Sequence, residues 1–203
     1  MNPAAFYPTS TDILRFLPEL ILTIGGVVLL VLEALTGDHK DKSSLGYVSI
    51  GVVPAAMFAV PVALANPGVS FNGMIVSDGF AAFFRMVTLL VGLFTLLCST
   101  SYLTREKSNS GEFYLLVLFS LAGQGIMASS NELIMVFLGL EIASISSYVL
   151  AGFLRDDKRG SEAALKYFLL GSFATAFFLY GISWIYGVTG ATNLWAIRDA
   201  LAK

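Results

Sequence analysis

Six stretches of apolar residues, each about 20 long, constrain this chain more than any other feature. An α-helix rises about 1.5 Å per residue, so 20 residues match the roughly 30 Å hydrocarbon core of a bilayer. Lipid offers backbone groups no hydrogen-bond partners, so such stretches must satisfy themselves as helices. The expected spans are about 13–35, 45–65, 79–103, 113–129, 132–154 and 161–188. Composition agrees: 56% of residues are hydrophobic and only 13% charged, too few charges to cover a water-soluble domain. The expected fold is an all-α polytopic transmembrane helix bundle, with residues 1–203 forming one membrane domain. No linker, low-complexity tract or strong internal repeat divides the chain. Residues 1–12 lack a basic start and a small-residue cleavage site, so the first span is expected to be retained.

Single residues refine this picture. Pro18 falls in a first turn, where its missing N–H costs nothing. Pro54 and Pro61 are expected to kink the second span or make its backbone irregular. Asp78 suits an N-cap for the third span. Arg85, two turns further, can snorkel or pair with a carboxylate. Glu19 and Glu33, near the two ends of the first span, read as interfacial charges. Cys98, the one cysteine, reads as a buried packing thiol, and His39, the one histidine, as a solvated loop residue. Asn193–Lys203 reads as a short amphipathic segment on the membrane surface, with Trp195 at the interface.

Basic residues suggest the orientation. Lys40, Lys42, Arg105, Lys107, Arg155, Lys158 and Arg159 all fall in alternate loops, on one side of the membrane. The other side carries Arg15, Arg198 and Lys203. The positive-inside rule then puts the three charged loops in the cytoplasm, or the equivalent compartment, and both termini on the outer face.

Three further ionisable residues in or beside apolar runs, Glu141, Glu162 and Lys166, are the candidates for chemistry. Glu141 is about halfway along the fifth span, where its side chain cannot reach bulk water. It must be neutral, paired or beside a hydrated cavity, and it serves either as a proton carrier or as a neutral structural acid bonded to a neighbouring helix. Ser144, Tyr148 and Gln124 can offer it hydrogen bonds. Gly139, Ala143 and Ser147 form a small-residue stripe suited to close helix packing. Lys166 lies early in the sixth span, four residues after Glu162. That order favours an ion pair on one helix face, either at the interface or as part of a proton path. No phosphate loop, metal-ligand spacing or nucleophilic triad occurs, so the chain is expected to hold no metal, nicotinamide or flavin.

The run Glu132-Leu-Ile-Met-Val-Phe-Leu-Gly-Leu-Glu141-Ile-Ala-Ser-Ile-Ser-Ser-Tyr148, followed by Ser161-Glu162-Ala-Ala-Leu-Lys166-Tyr-Phe-Leu-Leu-Gly171-Ser172, resembles the subunit N family of NADH–quinone oxidoreductase, respiratory complex I. Leu17-Pro-Glu-Leu-Ile-Leu22 and Ser77-Asp-Gly-Phe80 are similar too. That group lies within the wider antiporter-like family of proton-translocating membrane subunits. The resemblance implies an incomplete antiporter-like fold, because family members carry about fourteen spans. It implies that Glu141, Lys166 and Glu162 transfer protons in a translocase subunit of a bacterial inner membrane or its equivalent. Quinone and NAD would be handled by partner subunits of the complex, not by this chain. A separate polypeptide supplying the remaining helices is a further expectation, the chain being a fragment, a split product or a shortened paralogue. Two alternatives stay open: a non-pumping scaffold, or a cation/proton antiporter or membrane hydrogenase subunit of the same family.

Overall fold

A computed structural model describes residues 7–36, 43–106, 108 and 111–202. His39, Lys40, Lys42, Lys107 and Lys203 lie outside the described residues. The chain folds as α1 (Ser10–Arg15), α2 (Leu17–Thr36), α3 (Ser43–Leu64), β1 (Gly68–Ser70), β2 (Ile75–Ser77), α4 (Gly79–Arg105), α5 (Gly111–Ser129), α6 (Leu133–Ala151), α7 (Lys158–Thr189) and α8 (Leu194–Leu201). Six of these helices, α2 to α7, are long and apolar enough to cross a membrane. The architecture is therefore a membrane helix bundle.

The ends of the elements follow from local chemistry. Thr9 and Asp12 close a capping box at the start of α1. The two bonds from Thr9, backbone first and hydroxyl second, hold the Asp12 carboxyl below its ordinary range. The chain breaks at Phe16, so the first span starts at Leu17 rather than Ile13, with Pro18 in its first turn. Asp78 caps α4 by accepting a bond from the Ala81 N–H at 2.8 Å. Asn193 caps α8 through the N–H groups of Trp195 and Ala196. Helix α3 runs unbroken through Pro54 and Pro61, so the expected irregularity does not interrupt it.

The bundle turns around α5, which packs against α2, α3, α4 and α6. Its core holds Leu22, Leu29, Val53, Leu89, Leu96, Tyr114, Leu118 and Leu121. Outward faces are apolar as well: Phe58, Phe83, Phe94, Leu170 and Phe173 all stand exposed. Burying apolar side chains in lipid demands no polar exterior, so both sides of these helices are greasy. The same reason corrects the expectation for Cys98, which lies exposed on the outer side of α4 rather than buried.

One face of the bundle is knitted by hydrogen bonds. Strands β1 and β2 form an antiparallel hairpin, an addition to the expected all-α chain. Arg15 clamps the approach to β1, donating to the carbonyls of Asn66, Pro67 and Val69. The Asn131 N–H donates to Met74 O at 2.8 Å, and its side chain to Gly73 O at 3.2 Å. Asn193 Nδ2 reaches the same Gly73 oxygen at 3.1 Å. The Leu133 N–H donates to Thr192 O, the Leu194 N–H to Asn131 O, and Thr192 Oγ1 to Glu132 Oε1. The hairpin, the α5–α6 turn and the α7–α8 turn are thus one clasp.

Candidate functional site

The fifth span places its acid where the clasp and the packing of α6 dictate. Gly139 and Ala143 face α5. A Cβ at Gly139 would stand 2.7 Å from Gly123 O, and one at Gly123 would stand 2.6 Å from Gly139 O. Ser120 Oγ on α5 also approaches Ala143 O at 3.5 Å. At 100° per residue, Glu141 is then turned roughly opposite, toward α7. It lies about 12 Å along α6 from Leu133, near the middle of the helix.

Glu141 is bracketed by aromatic layers on that face. On one side Tyr148 meets Tyr167 and Phe168 of α7, with ring centroids 4.7 and 5.8 Å apart. The Tyr148 hydroxyl lies against Gly171, where any side chain would collide with it. On the other side Phe137 faces Phe178 at 6.4 Å. Between these layers Glu141 Oε1 is buried and has no hydrogen-bond partner among the described residues. A buried polar atom without a partner costs about 1–3 kcal/mol, more if charged.

Two of the partners suggested by sequence, Gln124 and Tyr148, are placed elsewhere, and Lys166 stands apart. Gln124 donates to Ser120 Oγ at 3.2 Å and belongs to α5, behind Glu141. The Tyr148 hydroxyl is taken up against Gly171. Lys166 and Glu162 form an i,i+4 ion pair at 2.5 Å, with side chains 68% and 65% exposed. The α6–α7 register, in which Gly152 meets Ala164 and Tyr148 meets Gly171, puts Glu141 level with Thr175. Lys166 is thus about nine residues, or roughly 13 Å of helix rise, from Glu141 and does not touch it.

A second acid–base pair was not matched up from sequence. Glu19 and Arg85 are 1% and 2% exposed, and the guanidinium binds the carboxylate twice, Nε to Oε1 at 2.6 Å and Nη2 to Oε2 at 2.9 Å. This corrects the assignment of Glu19 as an interfacial charge. Gly125 on α5 leaves room for the carboxylate, since a Cβ there would stand 2.6 Å from Oε1. A neighbouring cavity of about 10 Å³ is at the lower limit for one water. Glu33, at the other end of α2, accepts a bond from the Gly111 N–H at 3.0 Å and serves the start of α5. The signal that could have found the first pair is Arg85 itself, a cation inside a span that needs an anion.

No group of three His, Cys, Asp or Glu side chains suited to a metal occurs among the described residues.

Comparison with known proteins places these features in a lineage. Residues 130–202, which carry α6, α7 and α8, match the family described as NADH:quinone oxidoreductase/Mrp antiporter, TM. The chain is 54% identical over 195 residues to NADH-quinone oxidoreductase subunit N 1 of Solibacter usitatus, covering 96% of this chain and 39% of that protein. It is 40% identical to subunit N 2 of Koribacter versatilis, covering 99% of this chain and 42% of that protein. The chain therefore spans about two-fifths of the length of these curated relatives. Respiratory complex I from Thermus thermophilus with bound aureothin contains a chain that superposes with a TM-score of 0.73 at 32% identity, over 87% of this chain and 38% of that one. A chain of the membrane-bound sulfane sulfur reductase, an archaeal respiratory membrane complex, superposes with a TM-score of 0.71 at 25% identity, over 90% of this chain and 39% of that one.

Proposed function

The chain belongs to the NADH:quinone oxidoreductase/Mrp antiporter family of membrane proteins, and from that premise we propose that it relays protons across the membrane as part of a subunit N. Quinone reduction by NADH would be the work of partner subunits, and this chain would hold no redox centre. The observation that carries the reading is Glu141 Oε1, buried at mid-helix with no partner among the described residues. An acid so placed changes its proton affinity when a cation or donor approaches and withdraws, and so takes up and releases a proton. Lys166 and Glu162, paired early in α7, would pass protons between the membrane surface and the path.

Replacing Glu141 with Gln in the assembled complex tests this. Reconstituted in lipid vesicles, the Glu141→Gln complex should assemble normally while proton pumping falls by on the order of tenfold or more. Pumping at the wild-type rate would overturn the proposal and favour a scaffold role. Likeness to the sulfane sulfur reductase chain supports a wider reading, in which the same relay serves a different electron acceptor.

A further inference from the structure

We infer that Thr175 is a positioning residue for Glu141: its hydroxyl is the hydrogen-bond donor that takes up Glu141 Oε1. The inference rests on the proton-relay reading above and adds a residue to it.

Helix α7 meets α6 along one stripe. Ala164, Gly171 and Phe178 are fixed on it by their contacts with Gly152, Tyr148 and Phe137, and Ile182, the one buried residue of α7, continues it. Thr175 follows Gly171 by four residues and precedes Phe178 by three, so it falls on the same stripe between the two aromatic layers. It is half-buried, whereas Ser172 and Ser183, on other sides of α7, are exposed. Thr175 is therefore the α7 hydroxyl that shares the bracketed level with Glu141.

The Thr175 hydroxyl is free to change partner. In the structure Oγ1 donates to Gly171 O at 3.0 Å and lies 3.2 Å from Ser172 O. Both are carbonyls of its own helix, which accept backbone N–H groups in any case, so releasing them orphans no acceptor. Threonine in a helix divides between two χ1 rotamers for this reason, and a change of rotamer redirects the hydroxyl. Among the described residues, Glu141 Oε1 is a buried acceptor without a hydrogen-bond donor. Gly171, one turn away, carries no side chain to hold the helices apart. Among titratable groups, Tyr148 on α6 and Tyr167 on α7 lie to one side of Glu141, with Lys166 and Glu162 beyond them. On α5, which packs behind α6, Glu112 and Tyr114 lie near the far end of that helix, away from the Glu141 level.

The test uses the complete complex in lipid vesicles. Infrared carboxyl and carboxylate stretching bands that vanish in Glu141→Gln identify Glu141, whether it is protonated or ionised. Thr175→Val, which keeps the shape and removes the hydroxyl, should shift those bands as a hydrogen bond is lost and slow pumping about tenfold. Thr175→Ser should restore both. Thr175→Ala repeats the Val measurement should Val disturb assembly. Unshifted bands in both Val and Ala, or equal shifts in Ser and Val, would overturn the inference, as would a shift produced by Ser144→Ala instead. Normal pumping in Glu141→Gln would sink the relay reading alone, because the bands report the Thr175 contact regardless of pumping.

Discussion

Among single residues, the pair Glu19–Arg85 carries the sharpest stability prediction. Both side chains are buried and bind each other twice. Charge pairs of this kind add little over a well-packed apolar pair, but removing one member strands the other. Arg85→Leu alone should therefore destabilise the assembled subunit by about 3–5 kcal/mol, and the double variant Glu19→Leu/Arg85→Leu should recover most of that loss. Thermal unfolding of the purified complex, read against the wild type, checks both. Equal losses in the single and double variants would show that packing, not pairing, matters there. The two acids also show how far sequence reasoning reaches. Glu141 announces itself, since an acid at the centre of an apolar run has no water to turn to. Glu19 does not, because it sits near the end of a run, where the interface is always an available explanation. Its partner is 66 residues away, and no local rule spans that separation.

At the scale of helices and turns, spans were legible and their junctions were not. Hydrophobic runs of fixed length announce α2 to α7 because the bilayer imposes that length. The hairpin gives no such signal: its strands are three residues each, and its turn depends on Phe71 and Asn72 at φ 50° and 54°. The small-residue stripe on α6 was readable from its four-residue spacing, but the helix it would meet was not. It meets α5, which turns Glu141 away from Gln124. Close approach at Gly123 and Gly139 brings backbone against backbone, so a larger side chain cannot be absorbed by a rotamer change. Gly139→Leu should push α5 and α6 apart and lower the melting temperature of the complex clearly, whereas Gly181→Leu, with open space around it, should leave it near the wild-type value. A Gly139→Leu complex with unchanged melting would contradict the packing described here.

Across the whole chain, the distribution of basic residues and the knitted face make one prediction. The clasp, α1 and α8 share a face, and the α6–α7 connection with Arg155 and the start of α7 with Lys158 and Arg159 are on the other. The positive-inside rule predicts that the clasp face is the outer one. A membrane-impermeant thiol reagent applied to intact cells, with Cys98 first replaced by Ser, should label Asn66→Cys and leave Ser161→Cys untouched. The reverse pattern would invert the assignment. Helix α7 contributes a single buried residue, Ile182, and offers lipid or neighbouring polypeptide a long apolar side.

The knitted face has a mechanical corollary for the two helices around Glu141. The Leu133 N–H donates to Thr192 O and the Thr192 hydroxyl donates to the Glu132 carboxylate, which fastens the start of α6 to the turn after α7 on one side of the membrane. The short connection from Gly152 to Asp157 fastens them on the other. The two helices are thus held at both tips, and the Glu141 carboxylate sits between the two fastenings.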